Sequence, residues 1–162
     1  MKFFTEKPLA DLGPLASKSC NDSPARILVV EDDADARREY AEVLTRSGYR
    51  VDTAEDGAAA WTMLEAVSCD PDAYDLLITD NRMPKMSGLE LVTKLREERM
   101  ILSVILASGA TPINIGWLRL SAILPKPLST DQLVETVREV LRKSHSGPEQ
   151  TLPEQRNSPE QN

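Results

Sequence analysis

Short runs of apolar residues alternate along the chain with longer stretches in which apolar residues recur every three or four positions. An unbroken apolar run is typical of a strand buried on both faces of a parallel sheet, whereas the spaced pattern is typical of a helix that buries one face. Four such runs, together with one segment of alternating apolar and charged residues, predict five strands. They lie at residues 27–30, 49–54, 76–79, 101–107 and 122–124.

Five helices are predicted between and after these strands, and two of them have a recognisable start. Ser87 with Glu90, and Ser129 with Gln132, have the spacing of capping boxes, which satisfy free N–H groups in the first turn of a helix. Residues 111–121 are expected to form only a short irregular helix, because a proline and a glycine interrupt them. Strands that alternate with helices predict βαβ units, so we expect a doubly wound α/β domain with a parallel sheet and helices on both faces.

The alternating pattern occupies residues 25–143, which are enough for one domain with a hydrophobic core. Residues 1–24 contain three prolines and a glycine and predict a flexible N-terminal arm. Residues 144–162 contain three copies of Pro-Glu-Gln and predict a disordered tail, because so polar a segment buries almost no apolar surface. The alternative for both segments is that they dock on a partner.

Composition narrows the functions that are open to this domain. A net charge of −7 gives no general attraction for nucleic acid, and no apolar run approaches the length of a membrane span. The first residues lack the apolar region of a signal peptide. Cys20, Cys69 and His145 lack the spacing of metal ligands, which argues against a zinc site. We therefore expect a cytoplasmic protein with neither direct nucleic-acid binding nor membrane insertion.

Charged and polar residues follow four of the predicted strands. Glu31 and Asp32 follow the first strand, Asp80 the third, Ser108 the fourth and Lys126 the fifth. In an open parallel sheet these ends lie along one edge, where such sheets bind ligands. Three converging carboxylates repel one another more than one ammonium can offset, so we expect a divalent cation among them. Oxygen ligands without His or Cys favour Mg²⁺.

Each of these residues alone also has a plain structural explanation, as an acid that closes a strand, a turn hydroxyl or a solvated lysine. Their combination at four strand ends indicates a phosphoryl site. Asp80 would be the nucleophile, Ser108 would donate a hydrogen bond and Lys126 would neutralise phosphoryl oxygens. The chain has neither of the glycine-rich loops that bind ATP or dinucleotides.

With these residues the sequence resembles the receiver domain of two-component response regulators, the family of the chemotaxis receiver. The resemblance covers roughly residues 26–143. It is carried by Ile27-Leu28-Val29-Val30-Glu31-Asp32-Asp33, Asp80, Met83-Pro84, Ser87-Gly88, Ser108 and Lys126-Pro127. It implies a flavodoxin-like sheet with strand order 2-1-3-4-5. It also implies that Asp80 accepts phosphate from a phosphohistidine on a sensor histidine kinase or a histidine-phosphotransfer protein.

The resemblance also implies a role for each site residue. The implied ligands of Mg²⁺ are Glu31, Asp32, Asp80 and the backbone carbonyl of Arg82. Ser108 is implied as the switch hydroxyl and Lys126 as the lysine that contacts the phosphoryl group. A domain of this kind catalyses only its own phosphorylation and dephosphorylation, and it signals through contacts with a downstream protein.

Two features depart from the family pattern. Ile123 occupies the position, three residues before Lys126, at which the family usually has Tyr or Phe. We expect Ile123 to belong to the core and to be stiff, because its side chain is β-branched. The segment between Ser108 and Lys126 is a few residues shorter than is usual. No output domain follows Lys143, which predicts a stand-alone receiver.

Two other functions stay open at this point. A degenerate receiver would bind partners without being phosphorylated; the intact Asp80 and Lys126 argue against it, whereas Ile123 leaves it open. A phosphatase or mutase with an aspartyl nucleophile would be similar to the haloacid dehalogenase group, which has Asp-x-Asp on its first strand. Here the candidate nucleophile lies on the third strand and is followed by Asn81-Arg82.

Overall fold

A five-stranded parallel sheet forms the centre of the computed structural model, which describes residues 23–110, 112 and 114–145. Its strands are β1 (Arg26–Val30), β2 (Arg50–Ala54), β3 (Leu76–Asp80), β4 (Ser103–Ser108) and β5 (Ala122–Pro125). They lie in the order β2-β1-β3-β4-β5. This order and the parallel pairing confirm the predicted doubly wound α/β fold.

Helices cover both faces of the sheet. They are α1 (Ala34–Arg46), α2 (Gly57–Ala66), α3 (Gly88–Glu97) and α4 (Thr130–His145). Successive side chains of a strand point to opposite faces, so β1 contributes Ile27 to one core cluster and Leu28 to the other. The first cluster packs under α1 and α4, and the second packs under α2 and α3. None of the helices in the described ranges is long and apolar enough to span a membrane.

Side-chain caps fix where several of the helices begin, as α3 and α1 show. At α3 the Ser87 hydroxyl accepts a hydrogen bond from the Glu90 N–H, and the Glu90 carboxylate accepts one from the Ser87 N–H, which confirms the predicted capping box. At α1 the Asp33 carboxylate accepts a hydrogen bond of 2.8 Å from the Ala36 N–H. Each cap satisfies an N–H group that the helix itself leaves free.

The segment between β4 and β5 carries a single 3₁₀ turn, Gly116–Leu118, among its described residues. The prediction of one short irregular helix there is therefore confirmed. The Arg96 guanidinium of α3 ties this segment to the stretch before β4, since it donates hydrogen bonds to the carbonyl of Leu118 at 2.8 Å and to those of Met100 at 2.9 Å and Leu102 at 3.0 Å. Burial and the nearby Arg119 charge lower the pKa of Arg96.

Replacing Arg96 by Ala is expected to lower the free energy of unfolding by about 2–3 kcal/mol, because several partly buried carbonyls would lose their donor. Urea denaturation followed by circular dichroism measures this change. Arg46→Ala is the matched control, since within the described residues that exposed guanidinium pairs with Glu42, one turn earlier on α1. The stabilising role of the Arg96 hydrogen bonds would be refuted if Arg96→Ala kept the stability of the wild type.

Ile123 is not part of the core, contrary to the sequence-based expectation, because 38% of it is exposed. Its partner across the strand pair is Leu106, which places Ile123 on the face covered by α2 and α3. β5 is the edge strand of the sheet, and the described residues that connect it to β4 form a 3₁₀ turn rather than a full helix. Leu118 of the turn is buried, whereas Ile123 belongs to neither core cluster.

Two predicted boundaries also differ from the structure. The fourth strand starts at Ser103 rather than at residue 101, and Ile101 is fully exposed, because pairing with β3 begins only at Leu76 and Ser103. The last helix continues past residue 143 to His145. Its final turn is held by the Ser144 hydroxyl, which contacts the Ser103 hydroxyl at 2.8 Å. The remaining parts of the predicted arm and tail, residues 1–22 and 146–162, lie outside the described residues.

Candidate functional site

Three carboxylates meet at the carboxyl edge of the sheet. Asp80 is the last residue of β3, and Glu31 and Asp32 directly follow β1, the neighbouring strand. Glu31 and Asp80 are buried, with 3% and 6% exposed, whereas Asp32 is exposed. Ligand oxygens of the three side chains all lie within 4.8 Å of one another. The predicted acid cluster is therefore present.

Lys126 bridges the two buried acids. Its ammonium lies 2.9 Å from a Glu31 oxygen and 3.2 Å from an Asp80 oxygen. Burial raises the pKa of Glu31, and the hydrogen bond from Lys126 offsets only part of that effect. Burial lowers the pKa of Lys126, but the bond to Glu31 and the charge of Asp80 raise it by more, so it lies above its usual range. Lys126 thus stays charged, and three acids with one ammonium leave a net charge of −2 when all are ionised.

The backbone holds the Asp80 carboxylate in one orientation. The Asn81 N–H donates a hydrogen bond of 2.7 Å to Asp80 Oδ1, and it also lies 3.0 Å from the Ala107 carbonyl. The first residue of helix α3, Gly88, packs directly on the backbone of Asp80. A Cβ on Gly88 would clash with the Asp80 carbonyl oxygen. A side chain at position 88 would therefore displace β3 or the helix.

Ser108 and Arg82 are placed near the acids by the chain but do not contact them. Ser108 lies one residue beyond Ala107, the register partner of Asp80, and its hydroxyl donates to the Ala110 carbonyl at 2.7 Å. Arg82 lies two residues after Asp80 and is exposed, and no side-chain hydrogen bond or ion pair ties it to the part of the chain that the structure describes. The roles predicted for these two residues stay predictions.

Sequence reasoning missed three residues that support the site. Arg37 donates hydrogen bonds to the Glu31 carbonyl at 2.6 Å and the Asp32 carbonyl at 3.3 Å, and so fixes the turn that carries both acids. Lys85 forms an ion pair with Asp56 at the start of α2. An Asp-Gly pair such as that at positions 56–57 is typical of a turn, but nothing in the sequence pattern indicates which residue pairs with Asp56.

The donor set of this cluster fits Mg²⁺. All three side chains offer carboxylate oxygens, and no His or Cys belongs to the group. Hard oxygen donors suit Mg²⁺, which keeps several waters and is held by only one or two carboxylates in many sites. The three carboxylates together with Lys126 leave a net negative charge, which would also attract a cation to the cluster.

Replacing Asp32 by Asn is expected to raise the melting temperature of the metal-free protein by roughly 2–4 °C, which is about 1 kcal/mol for a chain of this size. Asp32 is the acid that Lys126 does not contact, so the change relieves repulsion without breaking an ion pair. Thermal melts in EDTA measure it. Glu65→Gln, an exposed acid on α2, should give no such rise. A lower melting temperature for Asp32→Asn in EDTA would contradict the repulsion.

Comparisons with known proteins agree with this fold and this set of residues. The family model "Response regulator receiver domain" matches residues 27–138. Transcriptional regulatory protein CpxR of Klebsiella pneumoniae is 33% identical over 132 residues, which cover 80% of this chain and 54% of that protein. The chain thus spans about half the length of the curated relatives it matches.

Solved structures show the same similarity. Response regulator TrrA of Thermotoga maritima, solved in complex with Mg²⁺ and BeF, is 32% identical with a TM-score of 0.61, covering 72% of this chain and 98% of TrrA. Chemotaxis protein CheY4 of Vibrio cholerae is 26% identical with a TM-score of 0.63, covering 72% of this chain and 98% of CheY4. The match to more than half of the chain, together with the fold, shows that the protein belongs to the response regulator receiver domain family.

Proposed function

We propose that this receiver domain accepts a phosphoryl group on Asp80 from a phosphohistidine of a sensor histidine kinase or histidine-phosphotransfer protein, and that it signals through protein–protein contacts. The observation that carries the proposal is the position of the Lys126 ammonium, 3.2 Å from the Asp80 carboxylate. It lies beside an acid cluster with the donor set of a Mg²⁺ site. A cation beside a buried Asp, with neighbouring carboxylates that can hold a metal ion, offers the positive charge that phosphoryl transfer needs.

The Asp80 carboxylate is suited to act as the nucleophile. Its Oδ1 accepts the Asn81 N–H bond, so its orientation is fixed before the donor arrives. In the transfer, a carboxylate oxygen forms a bond to phosphorus while the bond from phosphorus to the donor imidazole nitrogen breaks, and that electron pair returns to the imidazole. Lys126 neutralises charge on the phosphoryl oxygens. The Ser108 hydroxyl can turn from the Ala110 carbonyl to donate to one of them.

The residues that would hold Mg²⁺ are Glu31, Asp32, Asp80 and the backbone carbonyl of Arg82. A bound Mg²⁺ would supply positive charge for the equatorial oxygens of the phosphoryl group. The structure of TrrA with Mg²⁺ and BeF supports this assignment, because TrrA is 32% identical to this chain. The acids would supply the carboxylate oxygens for the metal, and among the side chains that the structure describes Lys126 lies against the Asp80 carboxylate, at 3.2 Å.

Labelling with a small phosphodonor separates this function from that of a degenerate receiver. Acetyl phosphate with Mg²⁺ should add one phosphate per chain, stable in acid and labile in base, because an acyl phosphate is formed. EDTA should stop the labelling. Intact-protein mass spectrometry measures both results. A chain that gains no phosphate from acetyl phosphate or from any phosphorylated histidine kinase would be a phosphorylation-independent binding module.

A further inference from the structure

The loop at residues 81–87 leaves the site after Asp80 and is fastened to the start of α2. The Lys85 ammonium lies 2.5 Å from Asp56 Oδ2. One residue further, the Met86 carbonyl accepts a hydrogen bond of 3.3 Å from the Gly57 N–H. The loop that carries Arg82 is therefore tied to a different βα junction from the one that supplies the acids.

Asp56 can hold the loop firmly because each of its two carboxylate oxygens accepts a hydrogen bond. Only 1% of Asp56 is exposed, and its Oδ1 caps α2 by accepting the Ala59 N–H at 2.8 Å. The hydrogen bond from Lys85, followed by that from Ala59, lowers the pKa of Asp56. Among the described residues, Lys85 is the cation that pairs with it. A buried carboxylate that lost this cation would be left without a counter-charge.

The backbone around the attachment has little freedom. A Cβ on Gly57 would lie 2.5 Å from the Met86 carbonyl oxygen, so the loop packs directly on the α2 backbone. Lys85 itself has φ +64°, a left-handed conformation that glycine adopts more easily. A non-glycine residue keeps such a conformation when its surroundings hold it, and here the Lys85 side chain is paired with Asp56 while the next residue is bonded to Gly57.

Arg82 is linked to this anchor by only two residues, Met83 and Pro84. The ring of Pro84 fixes its own φ and restricts the backbone of Met83, so the link is stiff. At its other end the loop is held by Asn81, whose N–H and carbonyl bond to Ala107 and Gly88. The direction of the Arg82 carbonyl therefore depends on where Lys85 is held.

We propose that Lys85 is a positioning residue for the metal site: its ion pair with Asp56 holds the loop so that the Arg82 carbonyl faces the acid cluster. This inference rests on the proposed function, because it assigns the Arg82 carbonyl as a metal ligand. Residues that orient a metal ligand typically change metal affinity rather than the chemistry at saturating metal.

Mg²⁺ titrations of Lys85→Gln test the proposal. The Mg²⁺ concentration that half-saturates both the rise in melting temperature and the rate of labelling by acetyl phosphate should increase about tenfold. The labelling rate at saturating Mg²⁺ should stay at the wild-type value. Lys85→Arg should restore most of the affinity, whereas Lys85→Gly, which suits the backbone but has no cation, should behave like Lys85→Gln.

Two controls show whether Lys85 acts through Asp56. Lys143→Gln removes a lysine of similar exposure, paired with Glu139 on α4, and should leave Mg²⁺ affinity unchanged. Asp56→Asn keeps the helix cap but removes the charge, and Lys85→Gln should cause no further loss in that background. Wild-type Mg²⁺ affinity in Lys85→Gln, or additive losses with Asp56→Asn, would overturn the proposal. A wild-type protein that neither binds Mg²⁺ nor labels would instead overturn the proposed function.

Discussion

Replacing Asp80 by Asn is expected to abolish labelling by acetyl phosphate and by a phosphorylated histidine kinase. The amide has nearly the same shape but lacks the negatively charged oxygen that forms the bond to phosphorus. The variant should still fold, because the Asn81 N–H can bond to the amide oxygen as it does to Asp80 Oδ1. Intact-protein mass spectrometry after incubation with the donor measures the loss.

Asp33→Asn is the matched control for this substitution. Asp33 follows the two acids of the site, but its carboxylate caps α1, and Asn is an equally good N-cap. The same chemical change at this position should leave labelling close to that of the wild type. The phosphoacceptor assignment would be wrong if Asp80→Asn took up phosphate as well as the wild type.

Replacing Lys126 by Met is expected to slow labelling at least about a hundredfold, the usual cost of removing one group that stabilises charge in a transition state. It should also lower the free energy of unfolding of the metal-free protein by about 2 kcal/mol at pH 7, since Glu31 and Asp80 would remain buried without a counter-charge. This value lies below that of a fully buried pair, because 29% of the Lys126 side chain is exposed. Urea denaturation in EDTA measures it.

The loss of stability in Lys126→Met should depend on pH. Burial already raises the pKa of Glu31 above its usual value of 4.5, and removing Lys126 takes away the group that opposes this shift. A carboxyl whose folded pKa is raised stabilises the fold below its unfolded pKa, and that stabilisation is lost as the pH rises through the folded pKa. The difference from the wild type should therefore be small near pH 4 and grow above pH 4.5. Lys143→Met should show no such trend, and a pH-independent loss in Lys126→Met would contradict the explanation.

Much of the fold and the site followed from local patterns. The apolar runs of β1 and β3 are buried on both faces, so their sequence alone indicated central strands of a parallel sheet. In such a sheet every strand ends at the same edge, and the polar residues after those runs therefore had to converge. The positions of Glu31, Asp80 and Lys126 agree with that argument.

The features that the sequence did not reveal depend on contacts between distant segments. Ile123 was expected in the core, but burial at an edge strand depends on what covers it, and the described residues between β4 and β5 form a 3₁₀ turn rather than a full helix. The Lys85–Asp56 pair joins residues that are 29 positions apart, and neither residue lies on a periodic face. The same holds for the bond from Arg96 to the Leu118 carbonyl, which joins residues that are 22 positions apart.

The most direct test of the account is to locate the phosphate chemically. Reduction of the phosphorylated protein with borohydride converts an aspartyl phosphate to homoserine, and tandem mass spectrometry of the peptides then reads the position. The account predicts homoserine at position 80, dependent on both Mg²⁺ and the phosphodonor. Homoserine at position 32 or 33, or no modified residue in a protein that has gained phosphate, would contradict it.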